Sequence, residues 1–248
     1  MGGEPVSAWT DESSAECERL LGYMPCYRRI TFDPRGGRTF PNVSTASAAV
    51  LRSDIVGFTQ LTDRMVKSGI AGTEQLADFM NQVINRMAEI AWTLGGELVN
   101  WEGDAGTFVW FSQACLSLDE ATILAIQTAS IIHREAKSWM VDGAPVRFRS
   151  AVSCGSLSHF EIGGKNGEWR SVLAGPALSD VSSAEKTATP GQTVISGAAV
   201  ALVKGRCHCV SLDGGMARVV GVVRPASPPE APPASGDIPL GVLRKAVP

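Results

Sequence analysis

The chain has no surplus of basic residues. Its 22 Lys and Arg stand against 25 Asp and Glu, a formal charge of -3 and a pI of about 5.7. That balance argues against a dedicated nucleic-acid or membrane-surface binder, whose footprint is basic. No apolar run reaches the roughly 18 residues a membrane span needs, so none is expected. Met1 to Asp11 has neither a basic start nor an apolar core, and the six cysteines are dispersed. A reducing, cytoplasmic setting is the expectation. Only Cys207-His208-Cys209 invites a zinc reading. Neighbouring strand residues point to opposite faces and no second ligand pair lies nearby, so buried or edge cysteines are expected there.

What is present is enough for a core: 248 residues, 44% of them hydrophobic, with a mean hydropathy of +0.07. The expected organisation is a lead-in over residues 1–45, a main domain over 46–223, and a Pro-rich linker or tail over 224–248 containing Pro225, Pro228, Pro229, Pro232 and Pro233. Within the lead-in, Glu16 to Leu21 reads as a short helix, Tyr27 to Phe32 as a strand and Asp33 to Gly37 as a turn. From Ala48 the pattern becomes regular. Ala48 to Ile55 reads as a buried strand, and Phe58, Leu61, Met65 and Val66 recur at helical spacing up to Gly69. A longer helix follows, with Thr73 as its expected N-cap and Gly95-Gly96 as its stop. Glu97 to Trp101 and Thr107 to Phe111 form a hairpin about Glu102-Gly103-Asp104-Ala105-Gly106. Leu118 to Trp139 is helical, Val146 to Leu157 a strand, His159 to Trp169 a flexible turn and Ser171 to Ala174 a strand. A helix over Ala177 to Thr187, a strand over Thr193 to Ile195, a short helix over Ala198 to Val203 and a last strand over Arg218 to Val223 complete the series. Hairpins mixed with helical crossovers favour an α+β sandwich, helices packed on a mostly antiparallel sheet.

The chemistry concentrates at Arg52-Ser53-Asp54-Ile55-Val56-Gly57-Phe58. A strand delivers a carboxylate into a glycine-containing turn that opens a helix, whose N-terminal N–H groups attract phosphate oxygens. Asp54 supplies a hard oxygen for the divalent cation such phosphates carry. Taken singly, Asp54 reads first as a helix cap and Asp104 first as a turn residue. In the sandwich fold the first strand and the hairpin lie side by side, and the two carboxylates would meet at one sheet edge, as a two-metal phosphoryl site requires. A phosphatase or polymerase-like metal site is a weaker alternative on the same residues.

Asp54-Ile55-Val56-Gly57-Phe58-Thr59, Gly95-Gly96-Glu97, Glu102-Gly103-Asp104 and Val172-Leu173-Ala174-Gly175-Pro176-Ala177-Leu178 together resemble the catalytic domain of the class III adenylate and guanylate cyclases, over about residues 46 to 205. Gly72 to Leu76 and Gly175 to Ala184 are most similar to the metal-binding first half of the soluble, bicarbonate-responsive type. The resemblance implies a ferredoxin-like α+β domain working as a dimer with ATP in the interface. By that resemblance Asp54, Asp104 and the main chain of Ile55 would hold two Mg²⁺ or Mn²⁺ ions. Ile55, Val56, Gly57, Phe58 and Thr59, with Gly103, would cradle the phosphates, and Arg149 is a further phosphate contact whose alternative is a solvated strand arginine.

Other positions depart from the family's pattern. Asn100 stands where a base-reading lysine is usual, Val172 where an Asp or Thr is usual, and Leu178 to Ser183 offers neither the usual Asn nor the usual Arg. These losses fall on one side of the chemistry. The expectation is a metal-bearing half, weak or inactive as a homodimer, completed by a second cyclase domain beyond Pro248 or in trans. The alternative is a catalytically silent module for dimerisation, nucleotide binding or regulation.

Overall fold

The strand expected from the apolar run is longer than its apolar part. The computed structural model describes residues 42–112, 115–163 and 169–229, and in it β1 spans Asn42–Ile55. It is held on one side by β6 (Phe148–Gly163) along its whole length. On the other side β3 (Ala105–Phe111) pairs with its C-terminal half. Every side chain from Ala48 to Leu51 is fully buried, because Ala49 and Leu51 enter one core while Ala48 and Val50 enter another. A strand covered on both faces reads as a continuous apolar run rather than an alternation.

Around this pair the elements follow in order: α1 (Phe58–Lys67), α2 (Ile70–Thr93), β2 (Glu97–Glu102), α3 (Leu118–Glu135), the small hairpin β4 (Met140–Val141) and β5 (Ala144–Pro145), β7 (Trp169–Ala174), α4 (Pro176–Thr187), β8 (Thr193–Ile195), α5 (Gly197–Leu202), β9 (Cys207–Ser211) and β10 (Ala217–Val222). The main sheet has eight strands in the order β2-β3-β1-β6-β8-β10-β9, with β7 also paired to β6. Only β6 and β8 run parallel, joined through the crossover that carries α4. The expected α+β sandwich on a mostly antiparallel sheet is what forms.

The two faces differ in cover. On one, Met87 and Ile90 of α2 and Ile123, Ile126 and Ile132 of α3 pack against Leu51, Phe108, Trp110, Phe148 and Val152. The start of α3 is fixed by a capping box: the Ser117 N–H and hydroxyl both donate to Glu120 Oε2, at 3.2 and 2.7 Å. On the opposite face α4 is the helix among the described residues that lies over the strands, through Ala177, Val181 and Ala184. The end of β1 beyond Val50 on that face carries Arg52 and Asp54 instead of apolar side chains. No helix among the described residues is long and apolar enough to cross a membrane.

Several expectations change. The flexible turn expected over His159 to Trp169 is largely ladder: β6 continues to Gly163 and pairs with β7 from Trp169. His159 is buried and its Nε2 lies 2.5 Å from Ser171 Oγ across the strands, so a polar sequence here marks a two-stranded ribbon. Thr73 is not the cap of α2, which starts at Ile70 after Gly69. Ile70 is 81% exposed and so adds nothing to the apolar period that located the helix. The helix expected to reach Trp139 stops at Glu135. Strand β9 went unread as an element, and its cysteines are edge residues as expected, β9 being the last strand of the sheet. Burial pushes the Cys207 thiol up to about 11. The features expected before residue 42 and after 229 lie outside the described residues.

Gly175 turns β7 into α4 at φ 148°, and a Cβ there would stand 2.7 Å from the Ser156 carbonyl oxygen. Gly175→Ala should cost about 1–3 kcal/mol of stability. A lower urea midpoint at unchanged slope is the expected reading, and an unchanged midpoint would show that the turn tolerates a side chain.

Candidate active site

Register decides where the two aspartates stand. Asp54 is directly opposite Ala105 on β3 and Arg149 on β6. Asp104 occupies the two-residue turn Gly103-Asp104 between β2 and β3, and its carbonyl accepts a 3.3 Å hydrogen bond from the Ile55 N–H. The two carboxyl groups, fifty positions apart in sequence, therefore stand side by side at one end of the sheet. Burial, and then the charge of Asp54, push the Asp104 carboxyl up to about 6, well above the ordinary range for an aspartate.

Beyond Asp54 the chain turns into α1. Gly57 takes φ 79°, and no side chain caps the helix. The first N–H groups of α1 have no carbonyl one turn earlier to bond. The N–H groups of Ile55 and Val56 are already committed, to the carbonyls of Asp104 and of Arg147, the latter at 2.8 Å. That narrows the expected phosphate cradle to the N–H groups at Gly57, Phe58 and Thr59, with the Thr59 hydroxyl. A cleft of about 410 Å³ opens here, lined by Asp54 to Gln60, Asp104, Arg149 and Ala188 to Pro190. All the expected site residues except Gly103 line it, and Gly103 adjoins as part of the turn that sets Asp104.

Arg149 is not a solvated strand arginine. Its Nε and Nη2 each lie 2.6 Å from Asp54 Oδ2. Sequence reasoning missed what surrounds this pair. Glu185, near the end of α4, has one carboxylate oxygen 2.8 Å from Arg52 Nε and the other 3.8 Å from Arg149 Nη2. Arg52 also reaches Glu102 at 3.3 Å. An arginine inside the apolar run Ala48 to Ile55 was the available signal for Arg52; Glu185 had none, since the helix period alone leaves it on the edge of the buried stripe.

The polar departures from the expected pattern bond within their own elements. Asn100 donates to Glu102 at 2.7 Å. The hydroxyls of Ser182 and Ser183 donate to carbonyls of their own helix, Leu178 and Ser179. Val172 is 42% exposed on β7. None of these side chains holds a donor out towards a base or a phosphate.

Two adjacent aspartates fit a hard divalent cation that fills the rest of its shell from phosphate oxygens and water. They do not form a closed cage, and among the described residues no group of three or more His, Cys, Asp and Glu gathers. The site thus suits a cation that arrives with a phosphate ligand.

Comparisons with known proteins agree with this geometry. No family model matches the chain. It is 25% identical over 160 residues to adenylate cyclase type 10 of Rattus norvegicus, covering 63% of this chain and 10% of that protein. With the Homo sapiens adenylate cyclase type 10 it shares 26% over 147 residues, 58% of this chain and 9% of that one. The chain thus spans about a tenth of the length of these curated relatives. Among solved structures, the adenylyl cyclase CyaB from P. aeruginosa superposes with a TM-score of 0.62 at 21% identity, over 74% of this chain and 98% of that one. The guanylate cyclase domain of RhGC from Catenaria anguillulae, in complex with GTP, gives a TM-score of 0.60 at 22% identity, over 72% and 99%. The fold is that of the class III nucleotidyl cyclase catalytic domains.

A raised Asp104 has a consequence for stability. Between the ordinary aspartate value of about 4 and about 6, the folded protein keeps a proton that the unfolded chain has released. Stability of the metal-free protein should therefore fall as pH rises through that window and level off above it. Asp104→Asn should flatten that fall and melt above the wild type at pH 8 in chelator, with the difference vanishing near pH 4. Thermal melts by circular dichroism across pH 4–8 check this; a variant that melts lower at pH 8 would contradict it.

Proposed function

We propose that this chain is the metal-binding half of a class III nucleotidyl cyclase, which with a second cyclase domain converts ATP to 3′,5′-cyclic AMP and pyrophosphate. The observation that carries the reading is the meeting of Asp54 and Asp104 at the mouth of an uncapped helix. It is found on a fold shared with adenylyl and guanylyl cyclases. The choice of ATP over GTP rests on the likeness to adenylate cyclase type 10. A cytoplasmic setting follows from the same reading.

In this reading Asp54, Asp104 and the Ile55 main chain hold two Mg²⁺ or Mn²⁺ ions. Bound there, the ions supply the positive charge that makes the ribose 3′-hydroxyl acidic and neutralises the departing pyrophosphate. The chain's own groups orient the substrate. N–H groups of Gly57, Phe58 and Thr59 donate to the terminal phosphates, as a helix N-terminus favours, and Arg149 adds a guanidinium beside them. The 3′-oxygen attacks the α-phosphorus in line, the bond from α-phosphorus to the bridging oxygen breaks, and the hydroxyl proton passes to solvent. Asn100, Val172, Ser182 and Ser183 supply neither the base-reading donor nor the arginine of the usual pattern. A missing transition-state cation costs orders of magnitude in rate, so a partner domain must supply one. That partner is a second cyclase domain.

A second reading is a silent cyclase-like module. It is favoured by the serines and the asparagine that bond inward where the family projects donors.

Cyclic nucleotide formation separates the two. With Mn²⁺ and ATP or GTP, the isolated chain should turn over slowly, and a complementary cyclase domain carrying the base-reading and arginine residues should raise the rate. Asp54→Asn should lower the assembled activity by about a hundredfold or more. Robust turnover by the isolated chain would remove the need for a partner. Intact signalling by Asp54→Asn would favour the silent module, and cyclic GMP as the product would overturn the choice of ATP.

A further inference from the structure

The arginine assigned to phosphate is already engaged, and with a residue the metal reading needs. Arg149 grips Asp54 through two N–H donors on one oxygen, Oδ2, each at 2.6 Å. The acid is the fixed partner: it sits at the end of a strand paired on both sides, and its side chain is 8% exposed. The cation is the movable one, 41% exposed on a long flexible stem. A second acceptor stands within a short swing. Glu185 Oε1 is 3.8 Å from Arg149 Nη2, on a carboxylate only 13% exposed. Its other oxygen lies 2.8 Å from Arg52 Nε, a charge pair without hydrogen-bond alignment that does not depend on Arg149.

We propose that Arg149 is a positioning residue that couples cation and phosphate binding. It neutralises Asp54 while the site is empty, and it leaves Asp54 for Glu185 and the incoming phosphate when a divalent cation takes that carboxylate. This rests on the reading of Asp54 and Asp104 as the metal site. A cation arriving alone must evict a guanidinium from Oδ2. A cation arriving with phosphate evicts it towards new partners. Part of the cooperativity between the two ligands is then carried by Arg149 rather than by their direct contact. The same charge that weakens binding of a bare cation strengthens binding of the complex.

The test is Mn²⁺ binding by the full chain, followed by electron paramagnetic resonance of free Mn²⁺, alone and with inorganic pyrophosphate. Arg149→Met should bind Mn²⁺ alone on the order of tenfold more tightly than the wild type and gain less from pyrophosphate. Glu185→Gln should move the other way, binding Mn²⁺ alone more weakly, because Arg149 has lost its alternative acceptor and stays on Asp54. If the pair only supports the fold, both variants weaken binding and the proposal fails. It fails equally if Arg149→Met is folded by circular dichroism and its affinity for Mn²⁺ alone is unchanged. Should Arg149→Met not fold, Arg149→Lys, which cannot place two donors on Oδ2, must shift affinity in the same direction by a smaller factor. Asp54→Asn separates the two levels of the argument. If wild type with pyrophosphate binds no more Mn²⁺ than Asp54→Asn, the metal-site reading falls and takes this proposal with it. If wild type binds and only the Arg149 effect is missing, the metal site stands and the coupling does not.

Discussion

Two carboxylates that repel each other are held together here by backbone. Asp54 cannot retreat, because the ladder from Asn42 to Ile55 is bonded to β6 throughout and to β3 beside the site. Asp104 cannot swing away, because its own carbonyl accepts from the Ile55 N–H. The repulsion is instead met by keeping the Asp104 carboxyl protonated up to about pH 6 and by Arg149. On the proposed reading both devices would give way to a divalent cation, which would offset the two charges at once.

Division of labour between the sheet's faces makes this possible. The face under α2 and α3 carries the large apolar side chains, with Phe108, Trp110, Phe148 and most of one face of α3 fully buried. Burial there supplies the bulk of the hydrophobic stabilisation, so the other face can be sparsely covered. Among the described residues α4 is the helix that lies on it, through side chains that include Ala177, Val181 and Ala184. Past their reach the strand ends present Arg52, Asp54 and Arg149 to one another and to Glu185. Chemistry sits where the fold can spare apolar contact.

Much of this was legible in the chain. The apolar run into Asp54, the helical period after Gly57 and the turn chemistry of Glu102-Gly103-Asp104 located the elements, and short-range pattern sufficed because each of these signals is local. The pairing of Asp54 with Asp104 was anticipated from the order of hairpin and helices. What stayed hidden depended on register and on contacts across the sheet. Whether Arg149 faces Asp54 or water is decided by which residue of β6 stands opposite it, and a slip of one position would reverse the answer. Glu185 was invisible because its role comes from where α4 crosses the sheet. The ribbon of β6 and β7 was misread because its polar residues satisfy one another across strands, a pattern that in sequence looks like a loop.

Charge on the exposed face bears on how substrate arrives. Asp54, Asp104, Glu185 and Glu102 share it with Arg52 and Arg149. Even with Asp104 protonated, three carboxylates stand against two guanidiniums, ionisation of Asp104 makes four, and each guanidinium is already committed. Such a surface repels a bare triphosphate and attracts cations. On the proposed reading the nucleotide would be received as its metal complex, whose charge is partly cancelled in advance. The N–H groups of α1 would then have only the residual negative charge of the terminal phosphates to accommodate. A half-site of that kind would be acidic and still bind a polyanion, provided the ion that both sides want comes with it.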